Sequence, residues 1–347
     1  MQNPKWTIRE ERGLRGYCVE WAARDGLILS RRDRIYRTAN LGTPRERLGR
    51  FPGKGWKRCA ARGRWLQRLL RYLFYNVVKL RDDSLFLTFD KGVGRWSNGR
   101  VEPISGLVRP TRVLRSACAV DDSGDVYFGE YVTNAARHEI HVYRYVPGRE
   151  DLEIVHTFPP KYCRHVHGVY YDQYGDCLWC VTGDQGNECR ILRTFDGFNS
   201  VEVVGEGDES WRCVSLVFTP QNIYYGSDAE FSQNFLYKVD RETGERTKLD
   251  EIDGPVYYSR AVDGDLFFGV TAELCPSQRG KEASLWWLRD GESACRVAAS
   301  DKDMLPVKYF LAGTWYFPQG PGIPDGLLLH GVGLRGADNR TFTLQKR

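Results

Sequence analysis

Two histidines, His165 and His167, stand two residues apart in an apolar run, a spacing that puts both imidazoles on one face of a β-strand. Such a pair can present two nitrogens to one divalent cation, with Asp184 and His330 as further ligands, or take a proton from a carbon next to a carboxylate. The chain has only six histidines, so two on one strand face stand out. The charged residues around them follow an order. Basic side chains stand where apolar runs begin, at Arg115, His165, His167, Arg212 and Arg260. Acids stand where the following runs end, at Glu130, Asp184, Asp228 and Glu273, and His330 closes the last such run. Solvation of strand ends accounts for polarity there but not for a regular alternation of sign. Convergent arginines grip a carboxylate in a fork. Two carboxylates across a sugar support hydrolysis. A histidine beside Tyr131 or Tyr258, with Arg212 neutralising a carboxylate, supports β-elimination. Tyr131 activated as a nucleophile by Glu130 is disfavoured, because neighbours along a strand point to opposite faces.

These residues share one rim only if the elements carrying them form a ring. Seven times an apolar run, a short turn and a second apolar run recur. The units begin near Tyr17, Leu73, Arg115, His165, Cys213, Tyr257 and Phe310, a mean spacing of about 49 residues that suits propeller blades. The turns carry Asp-Gly, Asp-Asp or Ser-Gly, the chemistry of hairpins. Third and fourth strands follow in several units, as at Ile191–Arg193 with Val201–Val204 and at Phe235–Val239 with Arg246–Leu249. The predicted fold is therefore all-β: one seven-bladed propeller of four-stranded antiparallel blades over residues 1–347. In that fold the innermost strand of each blade lines the channel and the next runs back beside it, so the start of one and the end of the other meet at one mouth. The last unit is one strand short, and Trp6–Glu11 is expected to supply it and close the ring. Two stacked sheets offer no natural place for seven equivalent units.

One segment departs from the pattern. Residues 56–74 read as an inserted helix with Trp65, Leu66, Leu69, Leu70 and Leu73 on one face, and Lys57, Arg58, Arg62, Arg64, Arg68 and Arg71 over much of the rest. Its expected roles are packing on the propeller with a solvated basic face, or docking on an anionic membrane. The net charge of +5 conceals a division. The first 115 residues carry 27 Lys and Arg against 10 Asp and Glu, so the basic third faces either an external anion or the acidic remainder. Aromatic residues sit within the repeats rather than among the basic run, which argues against nucleic acid. No apolar run is long enough to span a membrane and no secretory signal opens the chain, so a cytoplasmic protein is expected, with peripheral contact to the inner face of the membrane through 56–74 as the alternative to a packed helix. The ten cysteines then read as reduced thiols. Cys177 and Cys180 form a lone CxxC whose members point to opposite strand faces, which disfavours structural zinc.

Within the fourth unit, Thr194-Phe195-Asp196-Gly197-Phe198-Asn199-Ser200 resembles a degenerate Asp-box, the Ser/Thr-x-Asp-x-Gly-x-Thr-Trp turn of sialidases and related propellers. Gly197 falls one place early and the Trp is absent. The strings Gly129-Glu130-Tyr131, His165-Val166-His167-Gly168 and Thr182-Gly183-Asp184 are similar to bacterial BNR-repeat, glycosyl-hydrolase-like propellers. The resemblance implies a glycan-related role and assigns no reaction. Phosphate-cradling, dinucleotide, nucleophile-elbow and HExxH motifs are missing. The functional expectation is a carbohydrate-active enzyme acting on a uronic- or sialic-acid-like glycan by hydrolysis or β-elimination at the channel mouth. Catalysis falls to His165, His167, Asp184, Glu130, Tyr131, Asp228 and Glu273, and substrate binding to Arg115, Arg212, Arg260, Tyr258 and His330. No cofactor is assigned, a divalent ion at His165 and His167 being the minor alternative. The competing expectations are a non-catalytic glycan- or protein-binding propeller in a membrane-associated polysaccharide assembly, and a glycosyl-transfer enzyme.

Overall fold

The computed structural model describes residues 6–42, 45–53, 55–289, 291–324 and 326–347. Their strands form seven separate four-stranded antiparallel sheets, each hydrogen-bonded internally in up-and-down order. The innermost strands are Cys18–Ala23, Phe74–Lys79, Ala119–Val120, His165–Asp172, Val217–Phe218, Val256–Val262 and Thr314–Tyr316. Each begins within four residues of the start read from the repeat.

The fourth blade shows why the sequence folds this way. Its second strand, Cys177–Gly183, is buried throughout. Strand period two sends Cys177, Trp179 and Val181 into the core shared with Ile223 and Tyr225 of the fifth blade. The alternate residues Leu178 and Cys180 enter the core shared with Tyr127 and Ile140 of the third. A strand sandwiched between two blades buries both faces and so reads as a continuous apolar run. The same alternation places the two cysteines of the CxxC in different cores, as expected, and all ten cysteines are free.

Ring closure follows the predicted scheme. Trp6–Glu10 pairs antiparallel with Arg340–Lys346, Trp6 opposite Lys346 and Ile8 opposite Leu344. This makes the first strand the outermost of the last blade. The Trp6 ring stands edge-on to Phe267 at 5.1 Å, which ties the closing strand to the sixth blade.

The inserted segment differs from the expected single helix. It forms two short helices, α1 (Gly55–Ala60) and α2 (Arg64–Leu70), separated at Gly63, which is extended. The buried face is also not the apolar one. Gln67 and Arg68 are buried, while Trp65 is 55% exposed and Leu69 38%. Asp338 of the last blade and Asp303 of the segment leading into it cause this. Arg64 makes a paired contact with Asp338, 3.0 Å on each arm, and Arg68 binds Asp303 and the Leu311 carbonyl. Lys57 pairs with Asp90 and Arg58 with Asp33. Part of the basic excess of the first third is thus matched within the molecule, and the segment latches the second blade to the seventh over one mouth of the channel.

Candidate active site

At that mouth the first turn of the His165–Asp172 strand and the end of the Cys177–Gly183 strand come together, His165 opposite Gly183. His165 Nε2 and His167 Nε2 each lie 3.2 Å from the same oxygen, Asp184 Oδ1. Their other ring nitrogens are committed. His165 Nδ1 lies 3.1 Å from the Val132 carbonyl and His167 Nδ1 2.9 Å from the Cys213 carbonyl. A carbonyl only accepts, so each Nδ1 carries the proton and donates it. In the neutral tautomer both Nε2 atoms are then bare lone pairs. Burial holds the His167 pKa below its ordinary value despite the neighbouring carboxylate, which keeps that ring neutral at neutral pH. A lone pair facing a carboxylate at 3.2 Å is repulsive unless a cation sits between them.

The donor set fits a divalent metal. His165, His167 and Asp184 offer three ligand atoms all within 4.8 Å of one another. Imidazole nitrogens fixed through their opposite N–H on backbone carbonyls are a usual arrangement around protein-bound metals. Gly183 makes the convergence sterically feasible, since a Cβ there would stand 2.7 Å from His167 Cε1 and 3.3 Å from Arg212 Cγ. His330, the expected fourth ligand, is not in this cluster. It is buried beside Tyr316 and bonds Thr341, and burial lowers its pKa to about 3.

The cluster opens into a polar cavity of about 790 Å³. Tyr131 stacks near it, its ring 4.1 Å from that of His165. Burial, followed by the Asp184 charge, pushes the Tyr131 phenol well above its ordinary pKa, so it stays protonated. Arg164 binds Asp184 Oδ2 at 2.8 Å. Arg212 Nε donates to Asp228 Oδ2 at 2.9 Å, and Glu273 accepts from the Tyr257 hydroxyl. Asp228 and Glu273 have raised pKa values, mainly through burial and also because each feels neighbouring carboxylates. With Asp184, Asp228 and Glu273 around Arg212, the Asp228–Glu273 pair retains a proton more readily than isolated acids do.

Of the residues read from sequence, His165, Asp184, Arg212, Tyr131 and Glu273 line this cavity, with His167 and Asp228 just behind. Five lie elsewhere. Glu130 is fully buried behind the wall, where Arg109 grips both its oxygens and Tyr143 donates to it. Glu130 and Tyr131 point apart, as strand alternation requires. Arg115, Tyr258 and His330 line a separate cavity of about 250 Å³ beneath the helical latch, where Arg115 pairs with Glu20 and stacks on Tyr316. Arg260 lies further still. It lines a cavity with Lys79, Ser116 and Gln319 at the opposite mouth and donates to the Gly320 carbonyl. It is the fifth residue of the Val256–Val262 strand, and each residue advances about 3.3 Å along the channel. Arg71, Lys91, Arg112 and Arg164 line the first cavity and were not anticipated. They stand in loops and at a helix end, where no periodicity marks them.

The turn resembling an Asp-box closes on itself at the periphery: Thr194 Oγ1 donates to Asp196 Oδ1, and Ser200 bonds both Asp196 oxygens. No protein-family model matches the chain, and no curated protein matches its sequence. Its fold is similar to several solved structures. An oligogalacturonate lyase in complex with manganese has a TM-score of 0.59 at 11% identity, covering 99% of this chain and 91% of that one. An oligogalacturonate lyase from Vibrio parahaemolyticus gives 0.61 at 10%, with 99% and 92% covered. The WD40 β-propeller domain of Doa1 gives 0.60 at 11%, with 98% and 97% covered. The extracellular domain of a one-component system from B. thetaiotaomicron gives 0.56 at 10%; the chain, 99% covered, spans about 40% of that longer one. A lyase and a WD40 domain match equally well, so the likeness establishes the propeller and leaves the chemistry to the site.

Proposed function

We propose that the protein acts on an acidic, uronic-acid-type oligosaccharide at this mouth by β-elimination, with a divalent cation held by His165, His167 and Asp184. The observation that carries the reading is the convergence of two Nε2 atoms on Asp184 Oδ1 while both Nδ1 atoms donate to carbonyls. The naming of two propeller neighbours as oligogalacturonate lyases, one with manganese, agrees with it.

When bound, the cation supplies positive charge that neutralises a sugar carboxylate and acidifies the carbon next to it. Arg212, beside the cluster, adds a fixed positive charge to the same region. Glu273, made more basic by burial and by its acidic neighbours, is the group suited to take the C5 proton in its ionised form. The C5–H electron pair becomes the C4=C5 double bond as the C4–O bond breaks. The Tyr131 phenol, kept protonated, is suited to give its proton to the departing oxygen. Hydrolysis by two free carboxylates is less well served, because Asp184 and Asp228 are each engaged by cations or imidazoles.

The test is incubation with hexuronic-acid oligosaccharides and Mn²⁺, following the ultraviolet absorbance of the unsaturated product. Activity should require the metal and fall by about 10²-fold or more in Glu273→Gln, the usual scale for a positioned acid–base group. Absence of Mn²⁺ binding by calorimetry, or of unsaturated product from every hexuronide tried, would overturn the proposal. Binding of hexuronide without turnover would favour the non-catalytic glycan-binding propeller.

A further inference from the structure

We infer that the second-blade side of this cavity is a separate anion subsite, built from Arg71, Lys91 and Arg112, and that the ligand carries a second carboxylate which it grips. The inference rests on the proposed function for the identity of the ligand but on different residues. The other cations of the cavity are matched to acids: Arg109 to Glu130, Arg164 to Asp184 and Arg212 to Asp228. Among the described residues, Arg71, Lys91 and Arg112 make no ion pair, although all three line the same cavity. Arg112 Nε is buried without a hydrogen-bond partner.

Three unmatched cations on one wall repel each other and leave donors unsatisfied, and an oxyanion placed among them relieves both costs. Their positions are fixed by the backbone. Arg71 ends α2 in a left-handed conformation, with φ of 51°, uncommon outside glycine. Arg112 forms an isolated antiparallel bridge with Tyr131. Directly opposed residues on antiparallel strands place their side chains on one face, so Arg112 and Tyr131 stand side by side. Tyr131 in turn stacks near His165. The wall and the histidine cluster are thus adjacent parts of one cavity, with an anion position in each. A monomeric uronate has one carboxylate and satisfies one position. Two consecutive uronic-acid residues satisfy both, so the fitting ligand is a diuronide or longer acidic chain.

Calorimetry on the full chain in Mn²⁺ tests this with three probes: a hexuronate monomer, its (1→4)-linked dimer, and a neutral disaccharide of the same linkage. The wild type should bind the dimer at least tenfold more tightly than the monomer and the neutral sugar weakly. Lys91→Ala with Arg112→Ala should erase the dimer preference, weakening the dimer about 10- to 100-fold while monomer and Mn²⁺ affinities move less than about twofold. Thermal melting confirms that the variant is folded, and Lys91→Ala alone, at a turn, should show part of the effect. A wild type that binds Mn²⁺ but prefers the dimer no more than the monomer overturns the wall and leaves the metal reading standing. A dimer preference that depends on Lys91 and Arg112 but not on Mn²⁺ overturns the metal reading and leaves the wall. No affinity for any uronide overturns both.

Discussion

His167 is a neutral ring whose remaining lone pair is aimed at an anion, and such a contact costs free energy until something positive fills it. The apoprotein should therefore gain stability from Mn²⁺ or Zn²⁺ by mass action, about 2.7 kcal/mol at a hundred times the dissociation constant. His167→Ala should abolish the gain, and so should Gly183→Ala, whose methyl would collide with His167 Cε1. A thermal melt with and without metal measures both, and an equal shift in the two variants would place the metal elsewhere. Glu273 yields a prediction of opposite sign. Its folded pKa is raised above the ordinary 4.5, so the folded state holds its proton more tightly than the unfolded chain. The proton-linked stability is then complete below about pH 4.5 and is lost as pH rises through the folded value. Glu273→Gln, which keeps the shape without the charge, should raise the melting temperature by about 1–3 °C at pH 8 and change it little at pH 4. An unchanged difference between the two pH values would show that Glu273 ionises freely. The histidine pair, Asp184 and Arg212 were legible in the sequence because period two and strand ends fix where such residues point. Arg260 was misplaced because counting from a strand start does not say how deep a residue lies, and its strand contains a bulge between Val256 and Tyr258. Glu130 was misread for a different reason. Its partner Arg109 comes from a loop, and no sequence rule brings that loop over the strand end.

The helical latch shows the same limit one level up. Spacing correctly marked a helical stretch near residues 56–74, but an amphipathic pattern assumes that the apolar stripe faces inward. Here Asp303, Asp338 and the Leu311 carbonyl lie on the side where the segment must dock, and they draw in Arg64 and Arg68 instead. Nothing in the local pattern encodes acids that are over two hundred residues away. Arg68 is the informative position, since its side chain is about 2% exposed and sits between Asp303 and a carbonyl. Arg68→Ala should destabilise by about 3–5 kcal/mol, the cost of breaking a buried pair from one side. Arg68→Ala combined with Asp303→Ala should cost less than the sum of the two single changes. Denaturant melts of the four proteins in that cycle measure the coupling, and strict additivity would mean that the pair contributes nothing. An anionic-membrane role for this segment would rest on Arg62, Trp65 and Leu69, which remain exposed, rather than on the arginines used in the latch.

At the scale of the whole molecule the repeat was the dominant signal, because each blade must bury both faces against its neighbours and so writes the same grammar seven times. Closure was legible for the same reason: a last unit one strand short and a spare strand at the other end of the chain have only one economical solution. That solution makes a testable demand. A propeller whose ring is closed by strand pairing between distant segments should lose more than local stability when the closing strand is removed. The pairing of Trp6–Glu10 with Arg340–Lys346 bridges segments more than three hundred residues apart and covers Leu344, which is fully buried. Without it the last blade keeps three strands and an exposed edge, and Trp6 no longer packs against Phe267. Deleting residues 1–11 should therefore lower stability by several kcal/mol, on the scale of losing one large aromatic contact together with a strand ladder. It should also expose a sheet edge prone to association. A synthetic peptide of residues 5–11 added in trans should restore part of the melting temperature, while a version with Ile8 changed to Pro should not, because proline removes the N–H at the residue paired with Leu344. Differential scanning calorimetry reads all three. A deletion variant that melts like the intact chain, with no response to either peptide, would show that the seventh blade is held by its neighbours alone and that closure by the first strand contributes nothing to the ring.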